Sequence, residues 1–204
     1  MDENPPQSTY ERLKARYEEG NVPWDDELPP PEVIAFLADH PAGRALDLGC
    51  GYGRASIYMA KLGWEVDAID FIVQAIAVAA GRSETAGVSV RFHLNSVIDL
   101  DYLAGPYDFA LDVGCGHSFS SDELARYCRQ LGRLLRPGGT FLFYGRLREE
   151  NCEFGEQNGP RGIEESVLLE TFSSRFDLIW SERGETKVPD QPIWPSAWFQ
   201  FQRR

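Results

Sequence analysis

The sequence predicts an α/β fold in which a doubly wound, mostly parallel sheet carries helices on both faces. Three observations lead there. From Arg44 onward, short apolar runs alternate with helical stretches, the pattern of successive βαβ units. The first apolar run, over 45–48, leads into Asp47-Leu-Gly-Cys-Gly-Tyr-Gly53, an acid followed by three alternating glycines. The chain's 204 residues suffice for one domain with a full core and not for two large ones.

Each element follows from a local signal. Residues 8–19 set Tyr10, Leu13, Ala15 and Tyr17 among charges, which predicts a partly amphipathic helix stopped by Gly20. A proline-rich connector leads to Pro29-Pro-Pro31, where a second helix begins with Val33, Ile34 and Leu37 as its buried face. After the glycine turn, 54–62 reads as a helix and 64–70 as a strand. An alanine-rich helix over 72–84 presents Ile72, Val73, Ile76 and Ala80 at helical spacing, and Gly87 breaks it before a strand over 88–94. Ser120 and Glu123 have capping-box spacing. Leu124, Tyr127, Cys128, Leu131, Leu134 and Leu135 then repeat with helical period as far as Pro137-Gly138-Gly139. A loop over 146–162 holds four glycine or proline breakers and has the length of a mobile lid. A helix over 164–171 and two runs, 176–183 and 193–201, complete the chain.

The glycine turn says what it would bind. Gly49, Gly51 and Gly53 let the backbone turn sharply and approach a ligand, and the next helix points its N-terminal N–H groups at the same crevice. A dinucleotide turn reads G-x-G-x-x-G, but Arg54 stands where the third glycine is due. Asp47, just before the turn, repels phosphate and attracts a cationic amine. A positively charged nucleoside is therefore expected, and a nicotinamide oxidoreductase is disfavoured.

Residues 45–53 resemble motif I of the class I methyltransferases that use S-adenosylmethionine, and three further segments keep the family's order. Trp64–Asp70 resembles its second strand, ending in an acid about 20 residues past the first glycine; 107–112 resembles its fourth strand; and 134–143 resembles its helix-to-fifth-strand turn. The resemblance implies a seven-stranded sheet ending in an antiparallel hairpin made by the last two runs. It also implies that Asp47, Gly49 and Gly51 hold the methionine end of the cofactor, that Asp70 accepts from both ribose hydroxyls, and that Phe71 faces adenine. The family's acid after the third strand is missing. Asn95 or Ser96, or the backbone, must take its role, so Ser96 and Val97 join the expected cofactor residues, and a non-catalytic S-adenosylmethionine sensor stays open.

The segment 17–25 followed by Pro29–Pro31 resembles the entry of the thiopurine, halide/thiol and tellurite-resistance group of small-molecule methyltransferases. That resemblance implies a lid over 1–30, with Tyr17 and Trp24 covering the cofactor, on a domain over 31–204. The plain alternative is an aromatic staple between arm and domain. The group also implies a small acceptor, a thiol or other soft chalcogen first, with an N- or O-nucleophile second.

In a doubly wound sheet, donor and acceptor meet at the C-terminal end of the fourth strand, which brings Asp112 to the cofactor and Gly114, Gly116 and His117 to the acceptor. His117 fits either a general base or a loop histidine bonded to backbone. Tyr17, Phe119, Tyr144 and Trp198 are expected to wall the acceptor pocket, with Arg146 orienting an anionic group. Cys115 raises soft-metalloid binding, but without a spaced partner packing is the simpler reading, and no metal is expected.

Twenty basic against thirty-two acidic side chains leave a net charge of −12, which disfavours nucleic acid and anionic membranes as partners. Met1-Asp-Glu-Asn-Pro-Pro6 is not leader-like and no apolar stretch approaches bilayer length, so a cytoplasmic location is expected. Cys50, Cys115, Cys128 and Cys152 lack C-x-x-C spacing and are expected to be reduced.

Overall fold

The computed structural model describes residues 8–20, 22–148, 162–188 and 193–204. Its helices are α1 (Thr9–Glu18), α2 (Pro31–Asp39), α3 (Arg54–Lys61), α4 (Val73–Thr85), α5 (Ser121–Leu134) and α6 (Glu165–Ser173). Its strands are β1 (Arg44–Leu48), β2 (Glu65–Asp70), β3 (Arg91–Leu94), β4 (Tyr107–Val113), β5 (Leu135–Arg146), β6 (Phe176–Thr186) and β7 (Trp194–Arg203). They form one sheet in the order β3-β2-β1-β4-β5-β7-β6. The first five strands pair parallel, while β7 runs antiparallel to both β5 and β6, giving the expected terminal hairpin.

Strand order reverses between β1 and β4, and a crevice opens beyond the carboxyl ends of strands at such a point. Both faces of the sheet are covered, which is why β4 is buried almost throughout. Alternation along β5 sorts its side chains: Phe141 and Phe143 enter the core beneath α5 and α6, while Leu142 packs with Phe36, Met59 and Phe109 on the α2–α3 side. Phe141 is fully buried and stacks on Phe172 and Phe201, so the hairpin and α6 share one aromatic cluster.

Two capping boxes fix helix starts. Ser8 and Glu11 close the first turn of α1, and Ser120 and Glu123 that of α5. Two expected boundaries are corrected. β3 begins at Arg91, because Val88 is tied back to α4: its N–H donates to the Ser83 carbonyl at 3.1 Å and its carbonyl accepts from Ser83 Oγ at 2.8 Å. α5 ends at Leu134 rather than at the proline, and Leu135 is already extended, in keeping with helices ending at or before the residue that precedes a proline.

The expected lid over 146–162 lies, from 149 to 161, outside the described residues, and Cys152 with it. Its ends are joined: Ile163 N–H donates to the Arg146 carbonyl and Arg148 N–H to the Ile163 carbonyl, each at 2.9 Å. Among the described residues no helix is long and apolar enough to cross a membrane.

Candidate active site

The glycine turn joins β1 to α3 with Gly49, Gly51 and Gly53 all at positive φ, 75°, 54° and 79°. The N–H groups of Gly49 and Cys50 donate to the Ile69 carbonyl at 2.8 and 3.0 Å, which ties the turn to the end of β2. A Cβ at Gly51 would stand 3.0 Å from Tyr17 Oη, and one at Gly49 would stand 2.8 Å from Cys115 Cβ. The turn is therefore pressed between the N-terminal segment and the loop after β4, where only a bare backbone fits.

Acids surround it. Asp70, at the tip of β2, accepts from Gly51 N–H and Ile72 N–H, one per oxygen and each at 2.9 Å, and still lines the cleft. Burial raises its pKa. Asp47 accepts from Ser56 Oγ and lines a recess of about 50 Å³ with Gly49, Cys50 and Gly51. Burial pushes its carboxyl up to about 6, against the hydrogen bonds from Ser56. A buried carboxyl so destabilised as an anion has much to gain from a cationic ligand.

The recess shares Trp24, Gly49, Arg54 and Val113 with a cleft of about 850 Å³ across the carboxyl ends of the strands. At one end of this cleft Asp70, Phe71 and Ser96 line the wall; at the other stand Gly114, His117, Phe119, Tyr144, Arg146 and Trp198. α1 forms the roof. Thr9, Arg12, Leu13, Arg16 and Tyr17 face inward, and Tyr10 packs on Phe71 with ring centroids 5.7 Å apart. Trp24 Nε1 donates to Tyr17 Oη at 3.3 Å. Arg82 grips Asp25 with two bonds of 2.6 and 2.8 Å, and Arg54 meets Asp26 at 2.9 Å, so the segment after α1 is fastened to α3 and α4.

Two expected cofactor residues have side chains that do not line the cleft. Asp112 is fully buried, and its oxygens accept from Cys115 N–H at 2.8 Å, Gly116 N–H at 2.9 Å and Tyr127 Oη at 2.8 Å. Burial pushes it up to about 7, and it shapes the loop that carries His117 instead of facing the cleft. Val97 points into the core, while its neighbours Ser96 and Ile98 line the cleft. Asn95 Oδ1 accepts from Ser96 N–H at 2.8 Å, which fixes the bend after β3.

His117 sits on a short 3₁₀ turn, Gly116–Ser118, and is 9% exposed. Its Nδ1 is buried without a partner among the described residues, so the backbone-bonded alternative is not what the structure shows. Burial pushes the imidazole down to about 4, with Arg146 and then Arg12 adding in the same direction. It is neutral at pH 7 and lines the cleft, with Nδ1 turned away from solvent. Cys50 and Cys115 both have pKa values raised by burial, which leaves them as thiols. No group of three metal-ligating side chains gathers among the described residues.

Arg12, Arg16 and Lys187 also line the cleft and were not among the expected residues. The signal for the first two was present: Thr9, Arg12, Leu13, Arg16 and Tyr17 follow i, i+3, i+4, i+7 and i+8, one face of a helix. Lys187 carries no local signal.

Residues 45–139 match the methyltransferase domain family. A ubiquinone biosynthesis O-methyltransferase of Xanthomonas campestris pv. campestris is 38% identical over 126 residues, 60% of this chain and 51% of that protein. An uncharacterised methyltransferase of Schizosaccharomyces pombe is 30% identical over 106 residues, 52% of this chain and 72% of that protein. The chain thus spans about half the length of several curated relatives it matches. The solved Burkholderia thailandensis 1,6-didemethyltoxoflavin-N1-methyltransferase superposes with a TM-score of 0.75 at 24% identity, over 99% of this chain and 93% of that one.

Proposed function

Because the chain belongs to the class I S-adenosylmethionine-dependent methyltransferase family, we propose that it methylates a small molecule carrying a protic nucleophile, a thiol before all. The observation that carries this reading is a single cleft with a set of buried acids around a glycine turn at one end and an unpartnered imidazole at the other. The residues fit the cofactor. Asp47 suits its ammonium group, the glycine turn leaves room for its backbone, Asp70 keeps lone pairs for ribose hydroxyls, and Phe71 offers a face for adenine. Bound there, S-adenosylmethionine supplies a methyl group on a sulfonium, which becomes a neutral thioether when a nucleophile takes the methyl.

The protein's own part is to orient, exclude water and take a proton. The segment over 8–30 serves as the lid, held by the Asp25–Arg82 and Asp26–Arg54 pairs and closed over Gly51 by Tyr17 and Trp24. His117, at the acceptor end of the cleft, takes the acceptor's proton. With a pKa of about 4, its imidazole is a weak base, too far below an aliphatic alcohol or an ammonium to be matched to either. A thiol, at about 8.5, is nearer, which supports sulfur as the nucleophile. A phenolic oxygen is the second reading, favoured by the 38% identity to an O-methyltransferase of ubiquinone biosynthesis.

Calorimetric titration of S-adenosylmethionine and S-adenosylhomocysteine into the protein and into Asp70→Ala tests the cofactor site. Binding lost in the variant is expected, followed by S-adenosylhomocysteine formation with members of a thiol-led panel. An unmutated protein that binds neither nucleoside would end the methyl-transfer reading. One that binds but methylates nothing would point to a sensor.

A further inference from the structure

The acceptor end of the cleft is cationic in a chain whose net charge is −12. Arg146 is central. β5 pairs with β7 so that Tyr144 lies opposite Trp198 and Arg146 opposite Ser196, and alternation puts all four, with Trp194, on one face of the sheet. The Arg146 guanidinium lies 5.3 Å from the Trp194 ring centre, is half-buried in the cleft wall, and pairs with no carboxylate among the described residues. Nearby acids are already engaged: Glu164 with Arg148 at 2.7 Å, Glu165 with Arg183, and Glu123 in the capping box of α5. Arg12 from the roof and Lys187 from the end of β6 line the same cleft. The Tyr144 and Trp198 rings, centroids 4.9 Å apart, form an adjacent apolar wall.

A half-buried guanidinium facing a cavity without an acid partner is an anion site, and its planar fork matches a carboxylate. We infer that the acceptor is an aromatic or otherwise flat carboxylate, its anionic group held by Arg146, its body against Tyr144 and Trp198, and its nucleophile toward His117. The inference rests on the methyl-transfer reading only for which atom reacts. The anion site stands on the cleft itself. A negative net charge does not draw such a molecule in from a distance, so selection falls to this local cluster.

The test uses 3-mercaptobenzoate and 3-mercaptobenzamide, which differ by the carboxylate charge alone, titrated calorimetrically into the full chain with and without saturating S-adenosylhomocysteine. The carboxylate is expected to bind about tenfold to a hundredfold more tightly, the range carried by a hydrogen bond to a charged group. Arg146→Ala should bring the two probes within about twofold, Arg146→Lys should keep part of the preference as a point charge does, and S-adenosylhomocysteine affinity should not change in either. In turnover, the loss should fall on KM and leave kcat in place. Equal binding of the two probes, no binding of the carboxylate, or a preference that survives Arg146→Ala would overturn the inference. A preference that Arg146 controls, without any methylated product, would uphold the anion site and count against methyl transfer.

Discussion

Asp47 offers the sharpest separation of a residue's binding role from its structural one. It is 4% exposed, and burial holds its carboxyl at about 6 against an ordinary value of 3.8. A folded pKa above the unfolded one means that the ionised carboxylate destabilises the fold: the penalty is absent below about 3.8 and complete above about 6. At about 1.4 kcal/mol per pK unit, the full penalty is on the order of 3 kcal/mol at pH 7.5 and about 1 kcal/mol at pH 4.5. Asp47→Asn keeps an oxygen for Ser56 and removes the charge. The variant should therefore melt higher at pH 7.5, by roughly 6–12 °C for a domain of this size, with most of the gain gone by pH 4.5. If the carboxylate holds the ammonium group of the cofactor, the same variant should bind S-adenosylhomocysteine about tenfold to a hundredfold more weakly at pH 7.5. It should bind 5′-methylthioadenosine, which lacks that amine, as before. Wild-type affinity for S-adenosylhomocysteine should also fall roughly tenfold from pH 7.5 to 5 as the carboxyl takes up its proton. Thermal melts at two pH values and two calorimetric ligands read all of this. A variant that binds both nucleosides like wild type, or loses both equally, refutes the ammonium contact; one that melts no higher at pH 7.5 refutes the buried-charge argument.

His117, pushed down to about 4, should leave kcat for a phenol or thiol flat in its own titration from pH 8 down to 5. His117→Ala should lower kcat for a phenol by about 10²–10⁴ and barely affect a preformed thiolate, as a pH–rate series on both acceptors would reveal. Arg82→Ala releases one lid fastening that is half exposed, so S-adenosylhomocysteine should dissociate faster and bind up to about fivefold more weakly. Stopped-flow displacement at low and high salt checks this, and an unchanged off-rate would mean that the pair is ornamental to closure. Gly51→Ala forces a left-handed residue against Tyr17 and should reduce stability by about 1–2 kcal/mol and cofactor affinity with it. Tyr17→Phe in the same background should recover part of the affinity in calorimetry. Phe141→Ala should cost about 3–5 kcal/mol in urea denaturation, because it empties the cluster shared by α5, α6 and the hairpin.

The two ends of the cleft were not equally legible in the sequence, and the reason is physical. The cofactor end is local. Asp47, Gly49 and Gly51 lie within five positions, and their spacing is dictated by one backbone turn, while Asp70 follows from the length of a single βα unit. A pattern of that kind survives being read along the chain. The acceptor end is assembled from the roof helix, the loop after β4, the end of β5 and both strands of the hairpin, so its chemistry depends on register. Tyr144, Arg146 and Trp198 were expected from resemblance to lie together, yet only the antiparallel pairing fixes them on one face with Trp194. Asp112 shows the converse hazard. It occupies the position at which a cofactor acid is expected, but Tyr127, fifteen residues further on in α5, turns in to bond it, and the carboxyl organises the loop. A buried acid's role is set by which donors reach it, and those donors come from across the fold. The cofactor can thus be argued from a contiguous motif, whereas the acceptor has to be argued from the charge and shape that distant segments bring to one cavity.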